Sequence, residues 1–322
     1  MLTFFTSIKV NFELQINELH TNFILNRMHH MERLKKYGRI EKELARNLLA
    51  EFYGTALLRF IGTGVMAQFV LSPGTSSSPV QINIGWGLAI ALSVYVAWET
   101  SGGHVNPAVT AALCILGKIS FTHSFLYFIA QTLGAAFGTG IMYLVYSEAI
   151  NAFDGGVRAI SGPNATGIIF ASFPRAYLSN TGAFIDQMAG TSLIGLFVAF
   201  CCEPKNQIPR NLMPALFGTI ATTISICCGL NMGSPVNPAS DFGARIFASL
   251  IGYGTQLFTF HNYFFLVPLV APIVGAIIGV YLYQFFIGFH IPKPAATAVN
   301  VNNDKWETDQ ENELRQDSGR LL

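Results

Sequence analysis

The sequence predicts an all-α membrane protein with six transmembrane helices and two half-helices, arranged as an inverted internal repeat. The first observation is the composition: 51% of the 322 residues are hydrophobic and 11% are charged, whereas soluble domains carry roughly 25% charged residues. The second is that the tripeptide Asn-Pro-Ala occurs twice, and the third is that the segments around its two copies resemble each other. The net charge of +1 gives no support to nucleic-acid binding.

Six apolar segments are candidates for the membrane spans. A helix needs about 20 mostly apolar residues to cross the hydrocarbon core of a bilayer. The second segment is short and lies near the lower limit of that range. The predicted spans, with boundaries good to a few residues, are about 48–71, 82–98, 121–146, 183–202, 212–230 and 263–289.

The two Asn-Pro-Ala copies each predict the start of a short helix. Asn is a strong helix N-cap, and Pro is favoured at the first helical position. The apolar runs that follow are too short to cross a bilayer, so we expect half-helices over about 104–117 and 235–252. This favours two short helices that meet inside a membrane. The motif residues are Asn106, Pro107, Ala108, Asn237, Pro238 and Ala239.

The two halves of the chain are interpreted as one duplicated unit of three spans. Glu51 in span one corresponds to Gln187 in span four, and further matches relate span three to span six. These pairs and the two motifs have nearly equal separations, which is typical of an internal repeat. We place the two units at about 48–146 and 183–289. An odd number of spans in each unit inverts the second copy, and inverted repeats place their shared site near the middle of the membrane.

The two ends of the chain differ from residues 48–290, which we assign as the membrane domain. Residues 1–47 carry charges throughout, contain no apolar run long enough for a signal peptide or anchor, and end in a basic stretch. Residues 291–322 are polar, and we expect them to be disordered. Six spans put both ends on the side that holds most of the Lys and Arg residues. The positive-inside rule therefore predicts an integral multi-pass protein with both tails in the cytoplasm.

The connection over residues 147–182 lies outside the cell in this topology. It contains the N-glycosylation sequon Asn164-Ala165-Thr166. Because sequons also occur by chance, glycosylation of Asn164 and its absence are equally compatible with the sequence.

The sequence contains no pattern typical of an enzyme. It has no Ser/His/Asp set, no cluster with metal-ligand spacing and no nucleotide-binding loop. The five cysteines all lie in apolar segments, where small packing residues are expected rather than a disulfide framework. We therefore predict no catalytic residue, no metal and no cofactor.

With two such motifs in a duplicated context, the chain resembles the major intrinsic proteins, the aquaporins, over about residues 46–290. More narrowly, it resembles their aquaglyceroporin branch, because Asp241 follows the second motif by two positions and Pro268 precedes Leu269 in span six. The resemblance implies an aquaporin-like bundle that assembles as a homotetramer in the plasma membrane, with one pore in each subunit. It also implies passive, bidirectional flow of water and small neutral solutes, such as glycerol and urea, past the motif residues at the pore centre.

The resemblance also assigns roles to residues outside the two motifs. Glu51, and in neutral form Gln187, would accept hydrogen bonds from the backbone that leads into the half-helices. The outer constriction of the pore, called here the outer filter, would be lined by Trp86, Ser225, Ser234 and Ser240.

One position departs from the pattern of the family. Arg almost always follows the second Asn-Pro-Ala, but this chain has Ser240 there. Loss of the guanidinium removes fixed hydrogen-bond donors and a positive charge. We therefore expect a wider, more polar and less selective mouth, in which cation exclusion depends mainly on the two motif asparagines.

Two other arginines bear on this departure. Arg245 lies five residues after Ser240 and is expected to pair with Asp241 rather than to replace the missing side chain. Arg59 lies near the middle of span one, where a lone Arg costs about 2.5–3.5 kcal/mol on insertion scales. The sequence is compatible with its snorkelling, pairing inside the bundle or facing a neighbouring subunit.

Three classes of function remain open on the sequence. They are a passive channel, which in one variant is a poorly selective pore, a non-conducting adhesion or scaffold protein with the same fold, and a secondary transporter of inverted-repeat design. A transporter should carry coupling acids within its spans, and Glu51 is the only clear candidate. The sequence therefore favours the passive channel.

Overall fold

The computed structural model describes residues 2–73, 75 and 77–292, with only the backbone described for residues 2–12 and 25–28. The predicted disorder of the C-terminal tail concerns residues almost all of which lie outside this range. In chain order, the α-helices of the described residues are α1 (Leu2–Gly38), α2 (Glu43–Leu71), α3 (Pro79–Ser101), α4 (Pro107–Ile115), α5 (Phe121–Asp154), α6 (Asn180–Cys202), α7 (Met213–Cys228), α8 (Pro238–Ala248), α9 (Gln256–Tyr263) and α10 (Leu266–Phe286).

Six of these helices are long and apolar enough to cross a membrane, which confirms the predicted number of spans. They are α2, α3, α5, α6, α7 together with the turn before it, and α10. Helix α3 is longer than the predicted 82–98 because both of its ends are capped. At its start, Ser78 accepts a hydrogen bond from the backbone N–H of Gln81 at 3.3 Å, and Pro79 follows the cap. At its end, Gly102 takes a left-handed conformation with φ 84°.

Glycines bring the backbones of two helix pairs into close contact, one pair in each half of the chain. A Cβ added at Gly138 of α5 would lie 1.9 Å from the carbonyl oxygen of Ala56 in α2. A Cβ added at Gly279 of α10 would lie 1.9 Å from the carbonyl oxygen of Ser192 in α6. Small residues at helix–helix contacts are the usual route to tight packing in membranes, where lipid tails weaken the hydrophobic drive for association. The two halves therefore use the same packing solution.

The half-helices α4 and α8 each pack against spans from the opposite half of the chain. Helix α4 lies against α6 and α10, and α8 lies against α5. Both half-helices begin at an Asn-Pro-Ala motif. Because each half contributes its short helix to the bundle of the other half, the two halves interlock.

Two parts of the fold differ from the sequence-based expectations. Residues 1–47, expected only as a tail, contain the 37-residue helix α1, whose described side chains are exposed. The second half-helix, expected to extend to about 252, ends at Ala248 and is followed by a π-helical turn over Ser249–Tyr253. Gly252 in this turn has φ 111°, which a residue with a Cβ would adopt only under strain.

We predict that Gly138→Ala destabilises the folded protein, because the added Cβ would meet backbone of α2 that cannot move aside as a side chain can. Overpacking of this kind costs about 1–3 kcal/mol. The measurement is the melting temperature of the purified protein in detergent. The matched control is Gly38→Ala, since a Cβ at Gly38 has no neighbour within 4 Å. Equal melting temperatures for both variants would contradict the close approach of α2 and α5.

Candidate functional site

The structure brings the two Asn-Pro-Ala motifs into direct contact. Asn106 caps α4 by accepting a hydrogen bond from the N–H of Ala108 at 2.8 Å, and Asn237 caps α8 by accepting one from the N–H of Ser240 at 3.1 Å. Capping holds the side-chain oxygen of each asparagine, so its amide nitrogen is directed away from its own helix. Pro107 is the first residue of α4, as Pro238 is of α8.

The amide nitrogen of each asparagine donates a hydrogen bond to the other motif segment. Asn106 Nδ2 donates to the carbonyl oxygen of Val236 at 3.0 Å, and Asn237 Nδ2 donates to the carbonyl oxygen of Val105 at 2.8 Å. Each carbonyl belongs to the residue directly before the other asparagine. A side-chain amide carries two N–H donors, so one donor on each asparagine remains after this exchange. The helix starts therefore meet tip to tip and present two amide donors at one place.

The backbone at Val105 is strained. Its φ is 42°, which a β-branched residue rarely adopts. The N–H of Val105 donates to Glu51 Oε2 at 2.7 Å, while its carbonyl accepts from Asn237. Strain of this kind persists only where the surroundings over-determine the conformation. The carboxylate on one side and the amide on the other therefore hold this carbonyl toward the second motif.

Glu51 lies under the loop that leads into α4 and is completely buried. Its Oε1 accepts hydrogen bonds from the N–H of His104 at 2.9 Å and from Ser101 Oγ at 2.6 Å. Its Oε2 accepts from Gln131 Nε2 at 2.7 Å in addition to Val105. A buried carboxylate is tolerable when its lone pairs are satisfied in this way. Glu51 thus braces the first loop from α2.

The second half of the chain uses a different brace. Gln187 is buried, but its Nε2 donates to Asp186 at 2.8 Å, and its Oε1 has no hydrogen-bond partner among the described residues. Asp186 in turn accepts from Asn231 Nδ2 at 2.8 Å, in the loop that leads into α8. The expected hydrogen bonds from backbone to Gln187 are therefore replaced by a connection through Asp186. The neighbouring carboxylate attracts the Gln187 amide because it is the stronger acceptor.

A cavity of about 630 Å³ extends from the two asparagines along α4. Lys118, which follows α4, and Arg210, which precedes α7, line it together with Asn106 and Asn237. One strip of the wall is the loop Gly102–Asn106, which carries backbone polar groups. The remaining wall is largely apolar and includes Leu58, Ile90, Val94, Val109, Ile194, Val198, Phe217 and Ile220. The cavity therefore has hydrogen-bonding groups on one strip of its wall and an apolar surface around them.

The serines expected at the outer filter fall into two groups. Ser225 Oγ and Ser234 Oγ lie 2.7 Å apart and form a hydrogen bond. Ser240 is 5% exposed, and its N–H is taken by the cap on α8. The Ser240 hydroxyl makes no hydrogen bond with the described residues and is not among their fully buried unpaired atoms, so it borders open space.

The guanidinium of Arg59 lies beside Trp86, one of the residues expected at the outer filter. The guanidinium carbon of Arg59 lies 5.4 Å from the centroid of the Trp86 ring. Arg59 Nε donates to Thr139 Oγ1 at 3.2 Å, and Nη2 donates to the carbonyl oxygen of Phe170 at 2.7 Å. Of the three alternatives for Arg59, the structure therefore shows pairing inside the bundle. The sequence does not reveal this contact, because nothing in the order of the residues indicates that α2 and α3 bring the two side chains together.

Arg245 has a separate role. It forms a buried ion pair with Asp241, with Nε 2.5 Å from Oδ2, and its Nη2 donates to the carbonyl oxygen of Ser172. Asp241 Oδ1 accepts from the N–H of Ser172 at 2.9 Å. The guanidinium also faces the ring of Phe173, with 5.2 Å to the centroid. Arg245 thus ties the connection between α5 and α6 to α8 and is fully engaged there.

Two remaining candidates lie away from these contacts. Pro268 is buried in the first turn of α10. Asn164 is exposed in the connection between α5 and α6. The structure thus leaves the Asn164 side chain accessible.

Comparison with known proteins gives one consistent answer. Residues 39–283 match the family model named Major intrinsic protein. Aquaporin-9 from Homo sapiens is 39% identical over 256 residues, covering 79% of this chain and 87% of that protein. Aquaglyceroporin-2 from Rhizophagus irregularis is 41% identical over 237 residues, covering 73% of this chain and 75% of that protein. The X-ray structure of the aquaglyceroporin from Plasmodium falciparum matches with a TM-score of 0.68 at 30% identity, covering 76% of this chain and 97% of that one.

These matches confirm the predicted fold class and the resemblance to the aquaporins and their aquaglyceroporin branch. The matched region includes both half-helices and all six spans except the last residues of α10. The chain belongs to the major intrinsic protein family.

Proposed function

We propose that this protein is a passive, bidirectional channel for water and small neutral solutes such as glycerol, with urea among them. The observation that carries the proposal is the reciprocal pairing of Asn106 and Asn237 at the inner end of the cavity. The major intrinsic proteins are membrane channels and not enzymes. The names of the relatives, aquaporin and aquaglyceroporin, agree with the proposed solutes.

The chemistry of the cavity fits a polyol. A solute with hydroxyl groups must replace the water that it leaves behind, and the spare amide donors of the two asparagines and the backbone groups of Gly102–Asn106 offer that replacement. The apolar wall suits the carbon-bound hydrogens on the other side of the same molecule. Water passes by the same donors and acceptors without needing the apolar wall.

The paired helix starts oppose the passage of cations. Each helix N-terminus carries roughly +0.5 elementary charge, and the N-caps of α4 and α8 meet at the asparagines. This positive field lies where a permeating species has lost most of its hydration, which is where it acts most strongly. Neutral solutes pass through this region without that penalty.

The proposed placement in the membrane follows from the same cavity. Lys118 and Arg210 line its far end, and positive side chains are typical of the cytoplasmic face. We therefore place the cavity mouth and both tails in the cytoplasm, with the exposed Asn164 outside the cell, the channel domain at 48–290 and the tails at 1–47 and 291–322. We assign the plasma membrane as the location and a homotetramer as the assembly.

The test of the function is stopped-flow light scattering on proteoliposomes that contain the full chain. Water, glycerol and urea gradients should each change the liposome volume faster than in empty liposomes. The flux should not require the gradient of a coupled ion. Absence of flux from protein that is folded and inserted would favour an adhesion or scaffold role. Flux accompanied by a large sodium leak would favour a poorly selective pore.

We predict that Asn237→Asp lowers glycerol flux by about tenfold. The aspartate has the same shape but no N–H, so it loses both the bond to Val105 and the donor offered to the solute. One hydrogen bond of about 1.4 kcal/mol corresponds to a tenfold change. The measurement is glycerol permeability in proteoliposomes at matched protein density. Asn164→Asp, at an exposed position, is the control and should conduct as the unmodified protein does.

We predict that Glu51→Gln reduces stability and flux together. A glutamine has one oxygen where the carboxylate has two, and its NH₂ group would face either the donors of Val105 and Gln131 or the N–H of His104. Hydrogen bonds to a buried charge contribute about 1.5–3 kcal/mol each, so the melting temperature should fall. Glu99→Gln, at an exposed position on α3, is the matched control. If Glu51→Gln keeps the original melting temperature and flux, Glu51 does not brace the loop.

A further inference from the structure

We propose that Arg59 of α2 supplies the guanidinium of the outer filter, in place of the arginine that is missing at position 240. This inference rests on the proposed channel function and names a specificity-determining residue of it.

Trp86 lies on the stripe of α3 that faces the conduction path. Ile90, Val94 and Trp98 line the cavity at intervals of four residues, and residues four apart share one face of a helix. Trp86 continues this stripe by one turn, and it packs on the same cluster that contains Val94. Since α3 runs toward the loop that leads into α4, Trp86 lies at the end of the stripe away from the cavity mouth.

Helix α2 is shaped to receive the Trp86 ring beside Arg59. Gly62 lies one turn after Arg59, and a Cβ at Gly62 would come 2.3 Å from the Trp86 ring. Without that Cβ, the ring lies directly on α2 with its face toward the guanidinium. Leu58, next to Arg59 in the chain, lines the cavity. The arginine and the tryptophan therefore form one unit at the outer side of the conduction path.

The guanidinium keeps donors that the protein does not use. Thr139 and Phe170 accept from Nε and Nη2, whereas Nη1 makes no hydrogen bond with the described residues. Nη1 is also absent from the fully buried unpaired atoms of the described residues, so it borders open space as the Ser240 hydroxyl does. Arg59 as a whole is 5% exposed, which leaves this opening inside the bundle.

The charge of Arg59 acts on the same helix that carries Ser240. Asp241 and Arg245 of α8 are the charged groups with which the Arg59 guanidinium interacts electrostatically. Asp241 directly follows Ser240, so the charge of Arg59 acts on the residue next to the position that usually carries the arginine. An arginine at 240 would add a third cation next to Arg59 and Arg245. The small Ser240 is therefore the residue that fits an outer filter whose cation comes from α2.

The arrangement performs both tasks of a filter. The Trp86 ring offers an apolar wall for carbon-bound hydrogens, and the free Nη1 donors offer hydrogen bonds to a hydroxyl or a water molecule. The fixed positive charge repels sodium and hydronium before they reach the asparagines. We therefore expect selectivity close to that of a filter with its arginine in the usual place, rather than a wide, unselective mouth.

The experiment measures ion leak and neutral-solute flux in the same proteoliposomes. Arg59→Gln should raise the proton and sodium leak by about tenfold, as expected when a fixed charge near the path is removed, while glycerol flux persists. The double variant Arg59→Gln with Ser240→Arg should restore exclusion, because it returns the guanidinium from α8. Arg59→Lys should keep most of the exclusion. The matched control is Arg175→Gln, which removes a positive charge from an exposed position in the outer connection.

Three results would overturn the proposal. One is an Arg59→Gln protein that conducts glycerol and excludes ions as the unmodified protein does. Another is an ion leak in Arg59→Gln that the additional change Ser240→Arg does not reduce. Arg59 would then have only a structural role, linking α2 to α5 and Phe170. If Arg59→Gln does not fold, Ser240→Arg alone decides: it should lower glycerol flux at least severalfold by crowding the filter, and unchanged flux contradicts the proposal. Absence of glycerol flux in the unmodified protein instead identifies failure of the channel function itself.

Discussion

The structure depends on the exchange of hydrogen bonds between the tips of the two half-helices. Each asparagine has its oxygen occupied by its own helix and its nitrogen directed to the carbonyl before the other asparagine. An unpaired polar backbone group in a membrane costs several kcal/mol, so the exchange satisfies groups that irregular backbone would otherwise leave open. The same geometry leaves one N–H of each asparagine amide unused. The contacts that hold the half-helices together therefore also leave hydrogen-bond donors for a passing solute.

The bracing of this centre is unequal between the halves. In the first half, one buried carboxylate, Glu51, accepts hydrogen bonds from two backbone N–H groups and two side chains and holds Val105 at an unfavourable φ. In the second half, the connection is made through Asp186 and Asn231, at a greater distance from the motif. The first loop is therefore braced directly at the residue before its motif, and it also forms part of the cavity wall.

Most of the fold could be predicted because its determinants are local. The length of each apolar segment predicts the membrane spans, and Asn followed by Pro predicts where each half-helix begins. The environment of Arg59 could not be predicted, because its partners Thr139 and Phe170 are 80 and 111 residues away in the chain. Gln187 shows a different limit: it aligns with Glu51 in the repeat, but the carboxylate of Asp186 beside it takes its amide. Position in a repeat does not fix the partner when a stronger acceptor is adjacent.

The interlocking of the halves has a consequence for how solutes can cross. A carrier that works by alternating access must rock one repeat against the other so that the site opens to each side in turn. Here α4 is held by α6 and α10, and α8 is held by α5, where a Cβ added at Gly243 of α8 would lie 2.3 Å from the carbonyl oxygen of Thr132. Rocking would separate Asn106 from Val236 and Asn237 from Val105 inside the bundle. The molecule is thus built as a stationary scaffold around an opening, and in the proposed passive channel the direction of net movement depends on the concentration gradient alone.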